Sequence, residues 1–231
     1  MNTDFFIHSL FFGVLVSLMG YELGIFLKKK TGLPVMNPLL ISILFVIGFL
    51  LLFHIDYETY NAGAQYLSYL LTPATVCLAV PLYKQIHLLK KHGAAVGIAV
   101  LAGTITSLLS VLILSIIFKL DHTMYVTLLP KSITTAIGMG MSEEMDGIVN
   151  ITVAVIVVTG VTGNVIGEWV LKLFHIEDRL AKGLALGTSA HAIGTSKAME
   201  LGEIEGAMSS LAIVTAGLLT VIGASIFSMF Y

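Results

Sequence analysis

Eight apolar segments separated by short polar loops dominate this sequence and leave it few ways to fold. A membrane helix needs roughly 20 mostly apolar residues. On that measure the segments run Phe5 to Leu27, Pro38 to Phe53, Tyr66 to Tyr83, Ala94 to Phe118, Tyr125 to Met141, Ile148 to Leu171, Lys182 to Met199 and Ala207 to Phe230. Only 11% of the residues are charged, against about 25% in globular domains, so a soluble fold would lack its polar coat. The same scarcity argues against a disordered chain, a nucleic-acid binder and a secreted disulfide scaffold. The lone cysteine, Cys77, lies inside an apolar run and reads as a small buried hydrophobe. The first segment has no basic region before it and no small-residue cleavage site, so it reads as a membrane span, not a removable leader. The chain is expected to be a single all-α, multi-pass membrane domain over residues 1–231.

Charge signs predict the orientation of the spans. Lys28, Lys29 and Lys30 follow the first segment, Asp56 and Glu58 the second, and Lys84, Lys90 and Lys91 the third. The first and third loops are then cytoplasmic. If the fifth segment spans, the loop with Lys172, Arg179 and Lys182 is stranded outside; if it dips in and returns, every basic loop falls inside and Glu203 and Glu205 fall outside. The expectation is therefore about seven transmembrane helices plus one re-entrant hairpin. Interrupted third and seventh segments then occupy matching places in a 3+3 inverted repeat, about 38–118 and 148–230, the layout of secondary transporters.

Three segments carry unusual chemistry. In the third, Pro73 breaks or kinks the helix at Thr72, beside Thr75, Pro81 and Tyr83. The fifth reads Pro130-Lys131-Ser132-Ile133-Thr134-Thr135, then Gly138 and Gly140; the proline fits a helix start and the glycines a tight reversal. Lys131 either snorkels to the interface or offers a cation to an anionic substrate. In the seventh, Gly187, Thr188, Ser189, His191, Gly194, Thr195 and Ser196 suit close backbone packing better than lipid. His191 either carries a coupling proton or is a neutral, hydrogen-bonded core imidazole. Lys197 and Glu200 are spaced to pair on one helical face. In the sixth segment Gly160, Gly163 and Gly167 share a face, Asn164 lies between them, and Glu168 is near the inner end.

No nucleotide loop, dinucleotide fingerprint or zinc-ligand spacing occurs in the sequence. Ser189 and His191, two apart on a helix, point to different faces and make no nucleophile and base pair. The expectation is a non-enzyme with no catalytic residues, no metal and no cofactor beyond a coupling proton or sodium ion.

At Thr72-Pro73-Ala74-Thr75 with Val80-Pro81-Leu82-Tyr83, at Pro130-Lys131-Ser132-Ile133-Thr134-Thr135, and at Gly187-Thr188-Ser189-Ala190-His191-Ala192-Ile193-Gly194-Thr195 with Glu200, the chain resembles the LrgB/CidB family of bacterial membrane proteins. The C-terminal half of the plant plastidial glycolate/glycerate transporter belongs to the same family. One departure is that the family's proline and alanine after the paired threonines are here Ala136 and Gly138. The resemblance implies the bacterial cytoplasmic membrane and two descriptions. One is export of small monocarboxylates such as glycolate, glycerate or pyruvate, often with a small LrgA/CidA-type membrane partner. The other is a holin or antiholin-like modulator of murein hydrolase activity and lysis.

The residues themselves favour a carrier, because a holin has no evident use for interrupted helices and a Pro-Lys-Ser hairpin. On that reading Lys131, Ser132, Thr134, Thr135 and the stretch Thr188, Ser189, Gly194 and Thr195 hold the carboxylate, with Thr72 and Thr75 opposite. His191, Lys197, Glu200 and Asn164 are the candidates for ion coupling. A homodimer in the lipid bilayer is the default assembly, and no nucleic acid is expected as a partner.

Overall fold

The computed structural model describes residues 9, 11–33, 36–70, 73, 76–77, 79–84 and 86–231. All regular structure among them is helical. The chain divides into two compact units, Met1–Cys77 and Leu78–Tyr231.

In the first unit, α1 (Phe12–Thr31), α2 (Pro38–Leu52) and α3 (Tyr57–Ser68) pack through small residues. Gly20 of α1 faces Ser42 and Phe45 of α2, and Gly24 faces Pro38. Asn37 caps the start of α2: its Oδ1 accepts from the backbone N–H groups of Leu39 at 2.8 Å and Leu40 at 3.2 Å, with Pro38 in the first helical turn. The stretch from Tyr57, expected as loop, is helix instead. Asp56 caps it by accepting from the Thr59 N–H, and the Tyr60 hydroxyl lies 2.7 Å from Ser17 Oγ on α1. The expected third span, Tyr66 to Tyr83, therefore begins inside α3. Its break around Pro73, with Thr72 and Thr75, lies outside the described residues apart from Pro73 itself.

The second unit holds α4 (Ala79–Lys84), α5 (Ile86–Phe118), α6 (His122–Leu128), α7 (Thr135–Glu144), α8 (Val149–Leu173), α9 (Arg179–Leu201) and α10 (Glu203–Phe227). Three helical stretches among the described residues, Lys90–Phe118, Val149–Leu173 and Glu203–Phe230, are long and apolar enough to cross a membrane. The first of these begins next to a kink in α5 at His92.

The fifth segment is a hairpin of two short helices. At about 1.5 Å per residue, α6 and α7 are about 10 and 15 Å long, well short of a hydrocarbon core of about 30 Å. Between them residues 129–134 turn the chain back. The reversal is tied by Thr152 of α8, whose hydroxyl lies 2.9 Å from the Thr127 carbonyl on α6 and 2.7 Å from Ser142 Oγ on α7. A straight helix would hold residues 127 and 142 about 22 Å apart.

The seventh segment is interrupted, as expected, but beyond the break it turns back instead of running on. Helical geometry fails at Ala190 and His191, and His191 has φ 42°. Beyond the break Gly194 lies against the Leu186 carbonyl, and Ala198 packs with Leu186 and with Leu171 of α8. The two arms of α9 are therefore antiparallel. Their close approach needs the absence of side chains: a Cβ on Gly163 of α8 would fall on the Ala190 methyl, and one on Gly187 would fall on the Ser209 carbonyl of α10.

The two hairpins start from opposite ends of the unit. Tyr125 at the start of the first donates to the Phe227 carbonyl at 2.8 Å, and Tyr231 donates to the Leu120 carbonyl at 2.6 Å, so this end gathers the C-termini of α5 and α10. At the other end Lys84 approaches Glu203 at 3.8 Å. Glu203 and Glu205 thus share an end with Lys84, and the returning arm of α9 brings them there instead of to the opposite side.

Candidate functional site

Both hairpin tips reach one cavity of about 710 Å³, walled by α5, α8, the tip of the first hairpin and the first arm of α9. One turn of α5 organises the meeting. Gly103 leaves room for Thr188 of the second hairpin, since a Cβ there would meet Thr188 Cγ2 at 2.6 Å. Four residues along, Ser107 Oγ donates to Ser132 Oγ of the first hairpin at 3.0 Å. On α8 the pattern repeats: Gly138 of the first hairpin approaches Ile156, and His191 Nε2 lies 3.0 Å from the Ile156 carbonyl.

Lys131 is the charged side chain among the described residues lining the cavity. Its Nζ donates to Ser132 Oγ at 3.1 Å and to Ser107 Oγ at 3.3 Å. Among the described residues it forms no ion pair within 4.0 Å. An ammonium has three donors, so the tip presents a positive charge held by hydroxyls. That arrangement can receive an anion by charge-assisted hydrogen bonding.

The expected site residues divide by position. Lys131, Ser132, Thr188 and Ser189 line the cavity. Thr134 and Thr135, expected on the substrate, are not among its lining; Thr134 is the N-cap residue of α7 and Thr135 its first residue. Gly194 and Thr195 are packing residues: Gly194 meets the Leu186 carbonyl, and Thr195 Oγ1 lies 2.7 Å from Ser209 Oγ on α10, fully buried. Their place behind the first arm of α9 follows from the reversal.

The candidates for ion coupling do not form one cluster. His191 is buried on the Ile156 carbonyl. Asn164 of α8 donates to the Ile193 carbonyl at 2.8 Å and to Ser196 Oγ at 3.0 Å, holding the second arm of α9. Lys197 does approach Glu200, at 3.4 Å, but its shorter bond is to Glu168 of α8 at 2.8 Å. Glu168 also pairs with Lys172 at 2.7 Å. This interfacial carboxylate ties the returning arm to α8. No group of three or more potential metal-ligating side chains occurs among the described residues.

Sequence reasoning missed the far wall: Thr106, Ser107 and Ser110 on α5, and Thr159 and Thr162 on α8. Their signal was available, since hydroxyls recurring every three or four residues mark one face of an otherwise apolar helix.

The family comparison extends over most of the chain. The model of the LrgB-like family matches residues 17–230. The chain is 38% identical over 220 residues to the antiholin-like protein LrgB of Bacillus subtilis (strain 168), covering 95% of each. It is 37% identical over 221 residues to the antiholin-like protein LrgB of Bacillus cereus (strain B4264), covering 95% of this chain and 96% of that one. No solved structure matches it at a significant level. By sequence along nearly its whole length, this chain belongs to the LrgB-like family.

Proposed function

We propose that this chain is an antiholin-like protein of the bacterial cytoplasmic membrane, modulating murein hydrolase activity and lysis, with the double hairpin as its working part. The observation that carries the reading is the 38% identity to a protein of that name across 95% of both chains. This reverses the preference drawn from the motifs alone. In the membrane α5, α8 and α10 cross, and the two hairpins re-enter from opposite faces. The end with Lys84, Lys90, Lys91, Lys172, Arg179 and Lys182 faces the cytoplasm by the positive-inside rule. The first hairpin with α8 is then related to the second hairpin with α10 by inversion, a smaller repeat than the 38–118 and 148–230 pairing. A second copy of the chain and an LrgA/CidA-type membrane protein are the proposed partners.

The test is expression in a bacterium lacking its own homologue, with lysis and secreted murein hydrolase activity as readouts. Both fall with the intact chain; unchanged lysis and hydrolase activity would reject the role.

A second reading is favoured by one feature, the Lys131 cavity, which suits passage of small monocarboxylates coupled to a proton or sodium ion. Liposomes holding the purified chain then take up labelled pyruvate or glycolate saturably, and Lys131→Ala abolishes the uptake. Release of large dyes without saturation would replace the carrier by a lesion-forming protein.

A further inference from the structure

The cavity is polarised along its length. On α5 the lining passes from Ala99 and Gly103 to Thr106, Ser107 and Ser110; on the first arm of α9 it passes from Ala181 and Leu184 to Thr188 and Ser189. On α8 the order is opposite, from Thr159 and Thr162 to Val170 and Leu171, as its opposite direction requires. All three walls therefore place hydroxyls at the Lys131 end, and at the basic end α8 and α9 supply aliphatic side chains while α5 adds only Ala99 and Gly103. From Thr162 to Leu171 the span is about 14 Å at 1.5 Å per residue.

Burying an aliphatic lobe beside a single cation suits a ligand with the same division. A second hollow adjoins the lobe, sharing Leu171 and Ile176 with it and adding Lys172, His175, Glu177 and Lys182. The apolar end thus adjoins a polar hollow bearing Lys172 and Lys182 beside Glu177, surroundings that favour a dissolved anion over a bilayer lipid.

Resting on the anion reading of the Lys131 site, we propose that the cavity takes a free amphiphilic monoanion, a medium-chain carboxylate. Its carboxylate meets Lys131, Ser107 and Ser132, and its tail lies along Ile166, Val170, Leu171, Leu184 and Leu186. Burying each methylene favours binding by about 0.8 kcal/mol, so an eight-carbon acid binds much more tightly than a two-carbon one.

The test is equilibrium binding of labelled octanoate and glycolate to the full chain in phosphatidylcholine nanodiscs, with empty discs subtracted for partition. Octanoate is expected to bind at least tenfold tighter than glycolate. Lys131→Gln weakens octanoate at least tenfold, and Val170→Ser weakens octanoate while leaving glycolate unchanged; the second variant decides if the first fails to fold. Equal Lys131-dependent affinities would overturn the amphiphile and leave the small-anion reading standing. Octanoate binding indifferent to Lys131 would overturn both. Loss of octanoate binding in discs containing phosphatidylglycerol would overturn the free acid in favour of an anionic lipid.

Discussion

The two hairpins of the second unit solve one problem, turning a chain back among apolar neighbours, with the weight on different supports. The first uses a turn of six residues, 129–134, and ties its arms with hydroxyls: Thr152 bonds both, and Thr127 Oγ1 accepts from the Ile148 N–H at 2.8 Å. The second turns at Ala190 and His191 and, besides the Asn164 hydrogen bonds and the Glu168–Lys197 pair, depends on close backbone approach, with Gly183, Gly187 and Gly194 against carbonyl groups. A hairpin held by hydrogen bonds can lose one and persist. A hairpin held by missing side chains has no such tolerance, because protein interiors do not yield to added volume.

Glycine substitutions separate the two most widely. Gly187→Leu drives a side chain into the Ser209 carbonyl and the Ala212 methyl, with an expected loss above about 4 kcal/mol, seen as absence of a monodisperse peak on size exclusion. In the first hairpin Gly140→Ala meets nothing within 4 Å and is expected to raise thermal stability through helix propensity, by up to about 1 kcal/mol. Equal damage from the two would break the comparison.

Removing the hydroxyl tie comes next. Thr152→Val leaves the Thr127 carbonyl and Ser142 Oγ without that partner at a fully buried position. The expected cost is about 1 to 2 kcal/mol, read as a lowered Tm with α9 unchanged in hydrogen exchange. Smallest is the ion pair on the returning arm of α9. Glu168 is about one-third exposed, so Glu168→Gln is expected to cost less than about 1 kcal/mol, and less again at high salt.

Much of this was legible in the sequence and some was not. Pro130, Lys131 and the following glycines announced a reversal, because each residue carries its backbone bias locally. The reversal at Ala190 and His191 has no proline or turn dipeptide to announce it. It depends on tertiary partners: Gly160 and Gly163 make room for it, and the Ile156 carbonyl meets the imidazole of a residue held at positive φ. A Gly- and Ser-rich run reads as close packing, but the partner of that packing is the chain's own first arm, which no local signal specifies. The consequence was a misplacement of Gly194, Thr195 and the Glu203 loop. Lys131, Ser132, Thr188 and Ser189 are legible because polar groups in an apolar run stand out, whereas the hydroxyls of α5 form a face only when read together at helical spacing.

Single-cysteine labelling in a Cys77→Ser background tests most directly the proposed entry of the two hairpins from opposite membrane faces to meet at one cavity. His122→Cys and Asp146→Cys bracket the first hairpin; Arg179→Cys and Glu203→Cys bracket the second. The account predicts that the first pair reacts with a membrane-impermeant maleimide from one side only and the second pair from the other side only. Labelling of either pair from opposite sides would contradict it.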